Sequence, residues 1–224
     1  MRESSPPPAL LSGLTSDQRE VAIRKAERRN CSANQVIVSI GKPATRLFQL
    51  TKGTAKFYRV TNEGNEILMW WLSSGDVFGI GALLARPWRY IGTAQAVSQC
   101  EMLVWTRESI QSLPSTIHET MTVNSLHIAM NALAEYGDRM VEIKTETAEQ
   151  RLARTLLQLA RRTGTVQPNG VDVTIRNEDL GALANVGMFT VSRLMQKWER
   201  EGLTEKGRGK VRILSPENLF RSLR

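Results

Sequence analysis

The sequence predicts an α+β chain built in three parts: a β sandwich or barrel, one long helix, and a helix-turn-helix followed by a basic wing. Three observations carry this. Gly41, Gly53, Gly64 and Gly75 return at steps of 12, 11 and 11 residues, with short β-branched and aromatic runs between them. Apolar residues then repeat at heptad spacing through the middle of the chain. Finally, the net charge of +8 is uneven: residues 1–149 carry 16 basic and 15 acidic side chains, and residues 150–224 carry 14 and 7. A near-neutral front and a basic back suggest that the back meets a polyanion.

The chain opens with a helical stretch from about Ser16 to Arg29, starting at a Thr15/Ser16 cap. Strands are expected over Gln35–Ile40, Leu47–Thr51, Thr54–Val60, Glu66–Leu72, Tyr90–Ala96 and Cys100–Thr106. Thr61-Asn62-Glu63-Gly64 reads as a hairpin turn, because Asn and Gly accept positive φ. Adjacent Trp70 and Trp71 must point to opposite faces of their strand, so one faces the interior.

A long helix is expected from about Leu113 to Thr145, with Pro114 in its first turn. Val123, Leu126, Met130, Leu133, Gly137 and Met140 step by 3, 4, 3, 4 and 3 along it. Such a stripe lets two helices pair. Packing on the chain's own β domain is the alternative; self-association is favoured because one small domain cannot cover so long a helix.

An amphipathic helix follows from Thr147 to Arg162, then a loop from Gly164 to Asp172. Two helices, Asn177–Ala184 and Met188–Glu201, are joined by Asn185-Val186-Gly187, with Asn177 as the expected N-cap of the first. In the second, Val191, Leu194, Met195 and Trp198 form the buried face, and Phe189, Ser192, Arg193, Gln196 and Arg200 the outer one. The segment Thr204–Leu214 turns at Gly207-Arg208-Gly209, with Val211 and Ile213 on one side and Lys210 and Arg212 on the other. This is a basic β wing suited to phosphate.

Several classes of function are excluded. The longest purely apolar run, Ile67 to Leu72, is far short of a membrane span, so no membrane association is expected. Residues 1–8 hold no apolar signal core, and two cysteines make no disulfide scaffold, so a reducing cytoplasm is the expected compartment. No HExxH, P-loop or GxGxxG is present, and two histidines on one helix place no Ser/His/Asp constellation; the chain is not expected to be an enzyme or to hold a metal.

The order of these parts resembles the Crp/Fnr family of bacterial transcription regulators, over about Leu14 to Leu219. The pieces that carry the resemblance are Gly41, Leu47-Phe48-Gln49-Leu50 with Lys52-Gly53, Asn62-Glu63-Gly64-Asn65-Glu66, Ser74-Gly75-Asp76-Val77-Phe78-Gly79, Asp179-Leu180-Gly181, Thr190-Val191-Ser192-Arg193, Gly209-Lys210-Val211 and Leu214-Ser215-Pro216-Glu217. The resemblance implies a double-stranded, jelly-roll-like β-roll sensor over residues 1–110, a dimerisation helix over 111–145 and a winged helix-turn-helix over 146–224. It further implies a cytoplasmic homodimer on a palindromic operator, acting with RNA polymerase. The competing reading is a small-molecule sensing module that acts through a protein partner instead of specific DNA; the exposed pair Met188 and Phe189 speaks for it.

The chain departs from the family where effectors bind. Cyclic-nucleotide members carry a glutamate after the glycine matching Gly79; here it is Ile80. Their phosphate-binding Arg falls on Tyr90 without gaps, or on Arg89 if the loop is one residue shorter, and their Thr-Ser pair on the long helix falls on Tyr136-Gly137. Gly79, Ile80, Arg89, Tyr90 and Tyr136 are therefore the candidate effector pocket, and cyclic AMP is not expected in it. Trp70, Trp71, Trp88, Tyr90 and Tyr136 either fill a core, which is favoured, or stack on a planar ligand. Cys31 and Cys100 are too few for the four-cysteine iron–sulfur cluster of the oxygen-sensing branch, and nothing singles out His118 or His127 for haem. Both cysteines read as small buried hydrophobes, with a thiol switch through Cys31 as the alternative. The effector, if one exists, stays unassigned.

At the DNA, Met188, Phe189 and Arg193 stand where members that read a TGTGA-like half-site carry Arg, Glu and Arg. Arg193 can read guanine, while Met188 and Phe189 can only touch a thymine methyl or wedge against a sugar. Ser192 completes the base-reading set. Arg176, Thr190, Lys197, Arg208 and Lys210 are the candidates for phosphate.

Overall fold

The computed structural model describes residues 10–86, 88–207 and 209–221. The chain divides into two compact units, with the division between Tyr136 and Gly137, inside the long helix.

In the first unit, α1 (Ser16–Arg24) opens on a capping box, in which Thr15 accepts from the Gln18 amide and Gln18 accepts from that of Thr15. The helix ends five residues earlier than expected, and β1 (Glu27–Cys31) takes over. The reason is long-range: β1 pairs antiparallel with β8 (Cys100–Thr106) from Glu27 opposite Val104 to Cys31 opposite Cys100, a ladder that outweighs a weak local helix preference. The remaining strands are β2 (Val36–Val38), β3 (Arg46–Lys52), β4 (Ala55–Val60), β5 (Glu66–Leu72), β6 (Val77–Phe78) and β7 (Thr93–Ala96). They form two four-stranded antiparallel sheets, ordered β1-β8-β3-β6 and β2-β7-β4-β5. This is the jelly-roll-like β-roll. Gly53 joins β3 to β4 at φ +87°, and a Cβ there would collide with the Gln99 carbonyl, so only glycine closes the turn.

The alternation of β3 and β8 builds two cores on opposite faces of one sheet. Phe48, Leu50, Met102 and Val104 point into the roll, where Phe48 stacks on Phe78 with centroids 4.8 Å apart in a core shared with Phe57, Ala94 and Tyr90. Leu47, Leu103 and Trp105 point out, under α1, α2 (Arg107–Gln111) and the start of α3 (Ser115–Thr145). Trp105 is fully buried and donates from Nε1 to the Ala22 carbonyl at 2.8 Å, so its one polar group is satisfied. The 31-residue α3 is about 45 Å long at 1.5 Å per residue. It packs on this unit through Ile117, Met121, Asn124 and Ser125; Asn124 donates to the carbonyls of Leu10 and Ser12, tying down the entering chain.

In the second unit, α4 (Ala148–Thr163) carries a second capping box, Thr147 with Gln150. The stretch expected as a loop is a hairpin of β9 (Thr165–Gln167) and β10 (Gly170–Val173). Its residues alternate too briefly to be recognised, and β10 is fixed by pairing with β12 (Lys210–Ile213), far along the chain. With β11 (Thr204–Gly207) these make a sheet ordered β11-β12-β10-β9. Between them lie α5 (Asn177–Ala184) and α6 (Met188–Arg200), and α7 (Pro216–Arg221) follows the wing. Arg176, not Asn177, occupies the N-cap of α5, and its guanidinium holds Asp179 in the first turn at 2.8 Å. Leu152, Leu156, Val173, Leu180, Val191, Trp198, Val211, Ile213 and Leu219 are buried in this unit.

Candidate nucleic-acid interface and sensor region

The turn of the helix-turn-helix is built by close approach. Asn185 takes a left-handed conformation at φ 50°, and the Val186 amide closes on the Gly181 carbonyl at 2.9 Å. A side chain at Gly181 would press against Val186 O and Val191 Cγ2, at 2.7 and 2.9 Å from its Cβ, so glycine lets α5 and α6 touch. Arg151 on α4 clamps the same turn from behind, donating to the carbonyls of Glu146, Ala184 and Asn185. The sequence lists Arg151 as one more cation; only the fold shows it satisfying the C-terminal carbonyls of α5.

Val191, Leu194, Met195 and Trp198 bury one side of α6, as their spacing predicts. Gly187 caps the helix without a side-chain acceptor, so the first amides of α6 stay open, at the end where the helix dipole favours anions. Phe189 is 94% exposed, and Met188 is 49% exposed. Arg193 is exposed and has no hydrogen bond or ion pair among the described residues. Ser192 is half-buried beside it.

The phosphate candidates behave differently. Lys197 bonds Glu149 at 2.8 Å, and Trp198 Nε1 donates to the same carboxylate at 3.1 Å. Burial pushes the Glu149 carboxyl up, but these donors more than offset it and leave it below its usual range. Arg176 is paired with Asp179. On the wing, Lys210 reaches Asp172 at 3.1 Å and Arg212 reaches it at 2.6 Å. The Arg212 guanidinium, with Lys210, holds the Asp172 carboxyl down at about 2. Thr190 is half-buried in the first turn of α6, and Arg208 lies outside the described residues. Glu149, Asp172 and Asp179 were missed as parts of this surface, because only long-range pairing and the cap geometry of α5 bring them to their cations.

Of the five effector-pocket candidates, Gly79 and Tyr90 come together, whereas Ile80 and Arg89 face elsewhere. Gly79 has φ +80° and lies against Tyr90, whose ring is in the roll core and whose hydroxyl donates to the Arg46 carbonyl at 3.2 Å. Burial pushes the Tyr90 hydroxyl pKa up. Ile80 instead packs on the outer core beneath the helices. Arg89 is exposed and donates to the Gly41 carbonyl at 2.7 Å, so its guanidinium holds a loop together and is not aimed into the roll. Tyr136 meets Trp70 at 6.1 Å between centroids, and Trp70 meets Phe57 at 5.6 Å. Trp71 is buried, and Trp88 is largely exposed. Cys31 and Cys100 are free thiols opposite one another in the roll core; burial pushes the Cys100 thiol up, away from reactive thiolate.

Along α3, Val123, Leu126, Met130, Leu133 and Met140 are all exposed, and nothing lies near Gly137. The roll takes a different face of the helix, through Ile117, Met121, Asn124 and Ser125, and the heptad stripe is exposed among the described residues. Among the described residues no helix is long and apolar enough to cross a membrane, and no group of three or more His, Cys, Asp or Glu is placed to hold a metal ion.

Comparison with known proteins supplies the context. Residues 28–116 match the cyclic nucleotide-binding domain, and residues 150–221 match the Crp-like helix-turn-helix domain. The cyclic AMP receptor protein of Thermus thermophilus is 28% identical over 208 residues, covering 91% of each chain. Electron transport regulator A of Shewanella oneidensis is 25% identical over 202 residues, 88% of this chain and 78% of its own. Among solved structures, FixK2 from Bradyrhizobium japonicum superposes with a TM-score of 0.75 over 88% of this chain and 96% of its own, at 20% identity.

Proposed function

The chain belongs to the Crp/Fnr family of transcription regulators, and from that premise we propose that two copies pair along α3 and read a palindromic operator with the two α6 helices. The observation that carries the reading is Arg193: an exposed guanidinium without a partner among the described residues, on the outer face of α6. Arg176, Lys197, Lys210 and Arg212 nearby are each held by a carboxylate. Arg193 can donate two hydrogen bonds to guanine O6 and N7 in the major groove, and the phosphate contacts fall to the open amides of α6, Thr190, Arg208, and the cations Arg176, Lys197 and Lys210, which must share themselves with Asp179, Glu149 and Asp172.

The same reading holds that cyclic AMP is not the effector. Ile80 offers no carboxylate to a ribose, Arg89 is bonded to Gly41 O, and Tyr90 stays in the core. RNA polymerase is the proposed protein partner, and the cytoplasm the compartment. The exposed Phe189 favours a second reading, a surface for a protein partner, but the net charge of +7 on residues 150–224 opposes it unless that partner is acidic.

Selection of operators from a random duplex pool, with purified protein and with or without cyclic AMP, tests both halves. A palindrome with one strongly preferred guanine step per half-site, enriched equally in both arms, is the expected result. Enrichment only with cyclic AMP overturns the effector reading. Binding that is blind to sequence and falls steeply with salt overturns the operator reading.

A further inference from the structure

A phenylalanine exposed to 94% at the start of a helix is costly to keep in water and does nothing for the fold. Its place on α6 says what it can meet. Phe189 and Arg193 are one turn apart on the outer face, about 6 Å along the axis, which spans one to two base-pair steps. Met188 is placed differently: it lies one turn before Val191 and Ser192 and two before Met195, on the flank of the buried stripe, and is half covered. On this face Phe189 projects fully beside Arg193, whereas Met188 is half covered.

A phenyl ring has neither donor nor acceptor. In the major groove the one apolar feature on a base edge is the methyl at C5 of a pyrimidine. We propose that Phe189 makes this protein a reader of the pyrimidine 5-methyl group, beside the guanine that Arg193 reads. The inference rests on the operator reading above and deepens it. Its consequence is a ligand class that sequence-specific readout by hydrogen bonds does not share: thymine and 5-methylcytosine are equivalent at this step, while uracil and unmethylated cytosine are both rejected. Binding then depends on cytosine methylation wherever an operator carries C at that step.

The experiment uses the full-length protein and its selected operator. Each thymine of the half-site is replaced in turn by deoxyuridine, which removes the methyl and leaves every hydrogen-bonding group. At one position affinity should fall about fourfold per half-site, the worth of one buried methyl group. At that position 5-methylcytosine should bind like thymine, and cytosine like uracil. Phe189→Ala should bind all four alike, with its guanine preference intact. If deoxyuridine binds as well as thymine at every position while the guanine step is still required, the methyl reading fails and the operator reading stands. If the fourfold loss appears but persists in Phe189→Ala, another residue reads the methyl and the assignment is overturned. If the protein prefers no sequence at all, both fall together.

Discussion

Two arginines show how far a residue's role depends on what already surrounds it. Arg151 and Arg193 are indistinguishable as letters, yet Arg151 is committed to three backbone carbonyls behind the turn and Arg193 has no partner among the described residues. A guanidinium without intramolecular bonds among the described residues keeps its fork for a ligand with a matching pair of acceptors, and on the proposed operator guanine O6 and N7 are such a pair. Arg193→Ala should weaken operator binding by about 1–3 kcal/mol and relax preference at one base pair only. A base-substitution binding series on that variant measures it; unchanged discrimination at every position would remove Arg193 from base readout. The stripe of α6 made this arginine legible in the sequence, since Val191, Leu194, Met195 and Trp198 define the inside and leave Arg193 outside. The effector candidates were not legible in the same way. Ile80 and Tyr90 face different cores, Tyr90 being held by backbone bonds to Gly41 and Lys42, and no local spacing reports that pairing.

Elements were readable in proportion to how much of their pattern is local. The strands β5 and β8 and the helix α5 fall where the alternation and turn signals put them, and α3 starts within two residues of its expected position. The strands not expected, β1, β6 and the β9–β10 hairpin, are short, and β1, β6 and β10 are placed by partners far along the chain. The same long-range pairing creates the wing's electrostatics, because β10 carries Asp172 to Lys210 and Arg212 on β12. Asp172 is lowered to about 2 against about 4 in an unfolded chain, so the pair's contribution to stability is complete above about pH 4 and disappears as the pH falls through about 2. The stability difference between wild type and Asp172→Asn, read from urea midpoints, should be constant from neutral pH to about pH 4 and shrink below it. A difference that stays level to pH 2 would mean that Asp172 is not stabilised by its cations. At neutral pH the same variant releases two cations on the wing. It should therefore bind non-specific duplex more tightly and with a steeper dependence on salt.

For the molecule as a whole, the proposed pairing along α3 would decide whether one chain or two meet the DNA. Five exposed apolar side chains along one heptad line are an arrangement that water disfavours and a second identical helix satisfies, with each side chain entering a gap between four others. A palindromic site needs this, because two recognition helices must be held at a fixed half-site spacing. A single chain reading one half-site forgoes the second contact, and linked binding commonly gains a factor of 10² or more over independent binding, on the order of what a half-site alone would lose. Leu133, at the middle of the stripe and 64% exposed, is the residue to test. Leu133→Asp places a carboxylate against its own copy across the seam, where it is both desolvated and repelled, while in a lone chain it faces water at no cost to the fold. The variant should keep the wild-type unfolding midpoint at low protein concentration, run in light scattering at the 25.1 kDa of one chain, and bind the operator on the order of a hundredfold more weakly. Glu135→Lys, on the opposite side of the helix, should keep the mass and affinity of the wild type. If wild type itself scatters as a single chain, or if Leu133→Asp remains a dimer, then α3 is not the seam, and the exposed stripe awaits a different occupant.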